Sequence, residues 1–427
     1  MHNFHYQEDL LYCEDVPLER IAKEHGTPCY IYSYATLVRH FRAFDRAFDS
    51  VPHIVAFAMK ANSNLAILRL MASEGSGADI ASGGELYRAL NAGIPPHKIV
   101  FAGVGKTRAE IRYALESDIL MFNVESSGEL HTINDVAAEL GRHARVALRI
   151  NPDIDPKTHP YISTGLKKSK FGISADRALE EFRLASSLSN IEVVGVHKHI
   201  GSQVTQVTPF VDALKKILAL IESLQAQGTH LRYINIGGGL GITYSDETPP
   251  HPQELADAIS PLVRDLQCEL IMEPGRVIVG NAGILLTRVL YTKKTEDKRF
   301  LIIDAAMNDL IRPSLYDAHH DIWVGHRHSN VPNHTVDVVG PVCESGDFMA
   351  KDRLMPESKS GDLLAVMSAG AYAFTMASNY NSRPRVPEIL VKDGQSFLIR
   401  DRENYQDLVR GEHVPEFLSP GGKGTTE

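Results

Sequence analysis

The chain has 427 residues, of which 43% are hydrophobic and 23% charged, and its formal net charge is −9. That length exceeds one ordinary core and points to two domains, and the composition is that of a soluble globular protein. The mild charge and the lack of a long basic run argue against nucleic-acid binding, and no apolar stretch is long enough to span a membrane. Residues 1–9 are polar and acidic, unlike a signal peptide. Cys13, Cys29, Cys268 and Cys343 are scattered and form no CxxC pair, which suggests a reducing compartment and neither a disulfide framework nor a zinc site. A cytoplasmic location and no metal are therefore expected.

Residues 1–35 hold short mixed segments, with a strand at 28–32 followed by a helix at 34–48. From 53 to 275, short apolar, β-branched runs alternate with helical patterns. Strands are expected at 53–59, 77–81, 98–102, 119–124, 145–150, 192–199, 232–236 and 269–273. Helices fall between them, among others at 65–74, 85–92, 109–116 and 209–227. Eight strands alternating with helices over this span predict a (β/α)8 barrel, with an open doubly wound sheet as the alternative. Beyond 280, strand-like runs dominate, at 284–291, 300–303, 335–339, 363–366 and 388–391, and Asp393-Gly394 forms a hairpin-type turn. The expected division is a barrel at 36–280, a β-rich domain made of 1–35 and 281–418, and a flexible tail at 419–427. The polar stretches 307–320 and 341–350 read as functional loops.

In a barrel, functional residues gather at the C-terminal ends of the strands. Lys60 ends the first strand. Burial there lowers an ammonium pKa and frees the amine for a Schiff base with a carbonyl or with pyridoxal phosphate (PLP). An ordinary surface lysine is the plainer alternative. Gly237-Gly238-Gly239, after the seventh strand, suit close approach of a phosphate, or simply a tight turn. His197 and His199 share a face, so an imidazole can lie on an aromatic ring while Ser202 offers a hydroxyl to phosphate. Two core histidines or two metal ligands are the alternatives, and no carboxylate or cysteine lies near enough in sequence to favour metal. Glu273, in Glu273-Pro274-Gly275-Arg276, can keep a pyridine nitrogen protonated, and Arg276 can bind phosphate or carboxylate. Cys343 carries a thiol, whose reference pKa of about 8.5 suits proton donation near neutrality. A buried structural cysteine is the plainer reading. Arg312 and Tyr316 can hold a further carboxylate, or simply pack at the surface.

In this order the motifs resemble those of the diaminopimelate decarboxylase family, within the alanine-racemase-like PLP fold. The likeness runs through residues 57–62, Asp79 to Glu85, His159 to Gly165, Ser169 to Gly172, His199 to Gln203, Gly237 to Gly239, Glu273 to Arg276, Cys343 to Asp347 and Gly370 to Tyr372. It implies that Lys60 holds PLP, His199 stacks on its ring, and Glu273 binds its nitrogen. Ser202, the glycine loop and Tyr372 would bind its phosphate, with Asp79, Pro274, Gly275 and Arg276 in the cofactor-binding set. Arg276, Arg312, Tyr316, Glu344 and Tyr372 would bind an amino-acid substrate. Cys343 would donate a proton, and with Glu344 would reach the active site of a partner subunit in an obligate homodimer. The implied reaction takes meso-2,6-diaminopimelate to L-lysine and CO2. Rival readings on the same fold are a decarboxylase of ornithine, arginine, lysine or a carboxypolyamine, a racemase, and a non-catalytic regulator. Glu344 after the cysteine, and Arg312, favour diaminopimelate. Retention of Lys60 and Cys343 disfavours the regulator. Trp323 and His319, His320, His326 and His328 fit a solvated loop better than a metal site.

Overall fold

The computed structural model describes residues 2–154, 170–329 and 331–418. The expected motif at His159–Gly165, Ser169 and the tail 419–427 lie outside the described residues.

Eight strands build the first layer: β1 (His53–Ala58), β2 (Gly77–Ile80), β3 (Ile99–Phe101), β4 (Met121–Val124), β5 (Ala144–Asn151), β6 (Ile191–His197), β7 (Tyr233–Asn235) and β8 (Glu269–Met272). Each pairs in parallel with the next, and Leu270 of β8 lies opposite His53 of β1. That last pairing closes the barrel and excludes the open sheet. The short strands are mostly apolar because both faces are covered; every residue of β2, β3 and β4 is buried. The helices that follow start on polar caps. Asn64, Ser82, Thr107 and Ser126 each accept a backbone N–H of the first turn. Each of these four caps stands within six residues of the preceding strand's end, which keeps the loops at the barrel mouth short.

The interior has two tiers. Ala56, Val100, Met121, Ala147 and Ile271 form one buried apolar cluster. Two residues further along the same strands, on the same face, stand Ala58, Ala102, Asn123, Arg149 and Glu273. The floor is thus apolar and the mouth polar, as a site at the C-terminal face requires.

The second domain centres on the long strand Gly283–Lys294, which pairs antiparallel with Cys29–Ser33, Arg299–Ile303 and Leu363–Val366. Cys29–Ser33 also runs parallel to Glu388–Lys392, which turns back as Gln395–Arg400. Asp393 and Gly394 have φ of 50° and 71°, the left-handed pair that a two-residue hairpin turn needs. Two expectations fail here. Residues 348–350, read as loop, begin the strand Phe348–Pro356, which pairs with Asn333–Val339. The segment around Trp323, read as solvated loop, contains the strand Ile322–Val324 paired with Leu363–Val366. The first strand is interrupted by the polar run Lys351-Asp352-Arg353, and the second is only three residues long, too short to show a period.

This domain lies against the barrel mouth. Tyr372 donates its N–H to the Ala61 carbonyl at 2.8 Å, and the Asn62 amide donates to the Gly370 carbonyl at 3.2 Å. The Asn64 amide reaches Glu388 at 2.8 Å. Residues just past Lys60 are therefore tied to the loops that carry Tyr372.

Candidate active site

A cavity of about 550 Å³ opens at the barrel mouth, under the second domain. Lys60, His199, Ser202, Gly239, Glu273, Gly275, Arg276, Arg312, Tyr316 and Tyr372 all border it. Ten of the candidate residues, spread over more than 300 positions of chain, thus meet at one place.

Lys60 sits in the short turn Met59–Ala61 that ends β1. Its Nζ donates to Asp79 Oδ2 at 2.6 Å. Burial alone would depress the amine, but Asp79, with Tyr372 and Glu273, holds it above its ordinary value. The expectation of a lysine freed by desolvation is therefore corrected: the carboxylate at the end of β2 keeps it an ammonium. Asp79 in turn is pushed up by burial and by Glu273, and only the Lys60 contact opposes that rise. Its other oxygen, Oδ1, is buried with no partner among the described residues.

Glu273 directly follows β8 and is 5% exposed. Its Oε1 accepts amide N–H groups from Asn123 at 3.1 Å and Asn235 at 2.7 Å. His197 Nε2 lies 3.4 Å from Oε2, yet neither ring nitrogen of His197 has a hydrogen-bond partner among the described residues. Burial depresses His197 and pushes Glu273 up, but His197 first and then Lys60 hold Glu273 below the usual carboxylate range, and the two amides add hydrogen bonds that favour its ionised form. Asn123 and Asn235 were missed from sequence. Their signal was faint: one amide in each of two otherwise apolar strands, Met121–Val124 and Tyr233–Asn235.

His199 is half-buried, and its pKa is pushed down by desolvation first and then by Arg149. Its Nδ1 accepts the Gly238 N–H at 3.2 Å, so Nδ1 carries no proton. Gly237 donates to Asn235 Oδ1 at 2.9 Å. Two of the three glycine N–H groups are thus committed inside the protein, and Gly239 is the member that borders the cavity. The glycines answer close packing as well: a Cβ on Gly238 would stand 2.0 Å from the Glu273 carbonyl oxygen. Pro274 does not border the cavity; its carbonyl accepts the Ala58 N–H at 3.0 Å and so ties β8 to β1.

Arg276 and Arg312 are 5% and 6% exposed. Arg276 donates to Ser202 Oγ at 3.0 Å and to the Tyr244 hydroxyl at 2.5 Å, and lies 4.7 Å from the centre of the Tyr372 ring. Arg312 lies 4.5 Å from the Tyr244 ring centre and donates to His320 at 2.9 Å. Among the described residues, no carboxylate stands within ion-pair distance of either one. Two desolvated guanidiniums without an acid mark a site shaped for anions. Arg149 differs, since Glu125 Oε1 accepts from it at 2.6 Å.

His320 and Trp323 correct another expectation. His320 is fully buried and bonds Arg312 behind this site, whereas Trp323 stacks on Tyr6 at 5.7 Å, against the N-terminal hairpin formed by Phe4–Gln7 and Leu10–Cys13. Cys343 and Glu344 do not join the cavity. Both are exposed, on a loop where Asn381 accepts the Cys343 N–H at 2.9 Å and Tyr380 reaches Glu344 at 3.4 Å.

The residues fit PLP by their chemistry. An amine stands at a strand end, an ionised carboxylate accepts two amides opposite it, a neutral imidazole lines the wall, and two guanidiniums with no acid partner among the described residues border the cavity. Fold and site together define a pyridoxal-binding barrel of the decarboxylase type. Residues 34–280 match the family described as pyridoxal-dependent decarboxylase, pyridoxal binding domain. A diaminopimelate decarboxylase of Vibrio cholerae is 55% identical over 416 residues, covering 97% of this chain and 99% of its own. The crystal structure of diaminopimelate decarboxylase from Helicobacter pylori complexed with L-lysine is 46% identical, with a TM-score of 0.89 over 92% of this chain and 98% of that one. That of M. jannaschii, in co-complex with L-lysine, is 40% identical, with a TM-score of 0.93 over 98% of this chain and 100% of that one. The chain belongs to the diaminopimelate decarboxylase family, and its cofactor is PLP.

Proposed function

We propose that the protein decarboxylates meso-2,6-diaminopimelate to L-lysine and CO2, the last step of lysine biosynthesis, in the cytoplasm. The observation that carries this reading is the pair of buried arginines, Arg276 and Arg312, which have no acid partner among the described residues and border the cavity that holds Lys60. A substrate with a carboxylate at each end, on a cofactor with a phosphate, supplies anions for both.

Bound PLP supplies the electron sink for the carbanion left at Cα when CO2 departs. Lys60 would hold its aldehyde carbon, Glu273 its pyridine nitrogen and His199 its ring face. Ser202, Gly239, Arg276 and Tyr372 would hold its phosphate. Asp79 positions Lys60 and takes part in its proton balance, because the two share one short contact. Glu273 stays ionised beside His197, Lys60 and its two asparagine donors and so keeps a facing nitrogen protonated. Arg312 and Tyr316 bind the distal carboxylate of the substrate.

Cys343, the expected proton donor, does not border this cavity. Cys343 is exposed on a loop of the second domain, with Glu344 beside it. We place these two residues in the active site of a second copy, so that the working unit is a homodimer with shared sites. The partner subunit's Cys343 delivers the proton to Cα, and the partner subunit's Glu344 binds the distal amine. The functional domains are taken as 36–280 for cofactor binding, with 1–35 and 281–418 forming the β-rich partner domain.

The test is steady-state turnover by the PLP-loaded protein on meso-diaminopimelate, ornithine, arginine and lysine in parallel. Lysine formation from diaminopimelate alone is expected. CO2 release from a cationic amino acid, with none from diaminopimelate, would overturn the substrate and leave the decarboxylase chemistry standing.

A further inference from the structure

We propose that His320 is the positioning residue of the distal-carboxylate pocket. Its neutral imidazole holds the Arg312 guanidinium at the cavity wall while leaving that charge free for the substrate. The proposal rests on the reading of Arg312 given above and deepens it.

The hydrogen-bond directions are fixed by chemistry. Arginine can only donate, so His320 Nε2, 2.9 Å from Arg312 Nη1, is the acceptor. The proton therefore sits on Nδ1, which donates to the Met367 carbonyl at 2.8 Å. Both nitrogens are used, and in one tautomer only. Protonating Nε2 would break the Arg312 contact and place two cations together. Burial first, then Arg312, depress His320 to about 3, in keeping with the neutral state.

The ring cannot easily leave this place. The His320 carbonyl accepts from Arg353 Nη1 at 3.0 Å, and the next residue's carbonyl, on Asp321, accepts the Met367 N–H at 2.8 Å. The Tyr244 ring meets the imidazole edge-on, with centroids 5.3 Å apart and planes at 81°. Tyr244 also lies under Arg312 and bonds Arg276, so one aromatic side chain aligns both arginines.

The choice of a neutral acceptor matters. A carboxylate at position 320 would hold Arg312 at least as firmly, but would neutralise it. A desolvated guanidinium already paired with an acid gains little from a substrate carboxylate. A neutral imidazole separates the two tasks, giving orientation without charge cancellation.

The experiment uses the full-length PLP-loaded enzyme and three variants, His320→Gln, His320→Glu and Arg312→Met. Read-outs are kcat and KM for meso-diaminopimelate, and inhibition constants for L-lysine, which carries a carboxylate, and for cadaverine, which does not. Glutamine offers a neutral acceptor, so H320Q is expected to stay within about 3-fold of wild type in KM. Glutamate offers an acceptor that cancels the charge. H320E is expected to raise KM and the L-lysine inhibition constant together, on the order of 10-fold or more, with kcat and cadaverine inhibition little changed. Equal KM values for H320Q and H320E would overturn the proposal, as would a fall in kcat with KM unchanged. The control separates the two failures. If R312M leaves KM unchanged while wild type turns over diaminopimelate, the role of Arg312 falls and that of His320 with it. If R312M raises KM and H320E does not, only the role of His320 falls.

Discussion

Replacing Glu273 by glutamine separates the electronic role of this side chain from its packing. The asparagine amides of residues 123 and 235 both donate to Oε1, at 3.1 and 2.7 Å. A glutamine must therefore turn its carbonyl oxygen toward them, because its own amide group there would face two donors. The NH2 then stands where Oε2 stood, and an acceptor becomes a donor. A pyridine nitrogen facing a donor cannot keep its proton, and the electron sink weakens. The lost interaction is a hydrogen bond between charged groups, worth about 1.5–3 kcal/mol. At about 1.4 kcal/mol per decade, kcat should fall on the order of 10- to 100-fold, with KM little changed. The fold should survive, since both amide contacts persist. The assay is CO2 release at saturating diaminopimelate, with the absorbance of bound cofactor measured on the same sample. A kcat within about 3-fold of wild type, with cofactor fully bound, would refute the assignment of Glu273 to the ring nitrogen.

Three more predictions follow from other parts of the molecule. Glu403 is held down to about 2 by Arg385, against the effect of partial burial, and its two oxygens accept from Arg385 and Asn379. A depressed carboxylate stabilises the fold above its unfolded pKa, so Glu403→Gln should cost about 2 kcal/mol at pH 7, and that difference should vanish as pH falls from about 4.3 toward the native value; denaturant titrations across pH measure it. Gly238→Ala places a Cβ 2.0 Å from the Glu273 carbonyl; melting and cofactor titration should show a loss of about 1–3 kcal/mol together with weaker PLP binding. Mixing inactive Lys60→Ala and Cys343→Ala proteins under subunit exchange should restore roughly a quarter of wild-type activity, because half the dimers are mixed and each has one complete site; no recovery, with exchange shown to occur, would mean that the sites are not shared.

Much of this molecule is legible in its sequence, for identifiable reasons. Each barrel strand is a short, doubly buried run, so the eight expected strands fall within two residues of the observed ones at every end. Lys60, His199, Glu273 and Arg276 stand at strand ends, where the barrel geometry already directs attention. What escapes is whatever depends on a partner distant in sequence. The protonation of Lys60 is set by Asp79, nineteen residues on. The burial of His320 is set by Met367 and Arg312, and nothing in a polar, histidine-rich stretch announces it. Asn123 and Asn235 look like interruptions of apolar strands until Glu273 is placed between them. The glycine loop shows the opposite limit. Its composition suggests phosphate, yet Gly237 and Gly238 spend their N–H groups on Asn235 and His199.

The central claim is that this barrel removes one carboxylate from diaminopimelate and delivers a proton to the same carbon. The most direct measurement is turnover of meso-diaminopimelate by the PLP-loaded enzyme in deuterium oxide, with the product read by NMR. The account predicts L-lysine carrying a single deuterium on the carbon that lost CO2, and none at the remaining α-carbon. Diaminopimelate recovered with deuterium at an α-carbon and no lysine formed would contradict it, and would make the site a racemase.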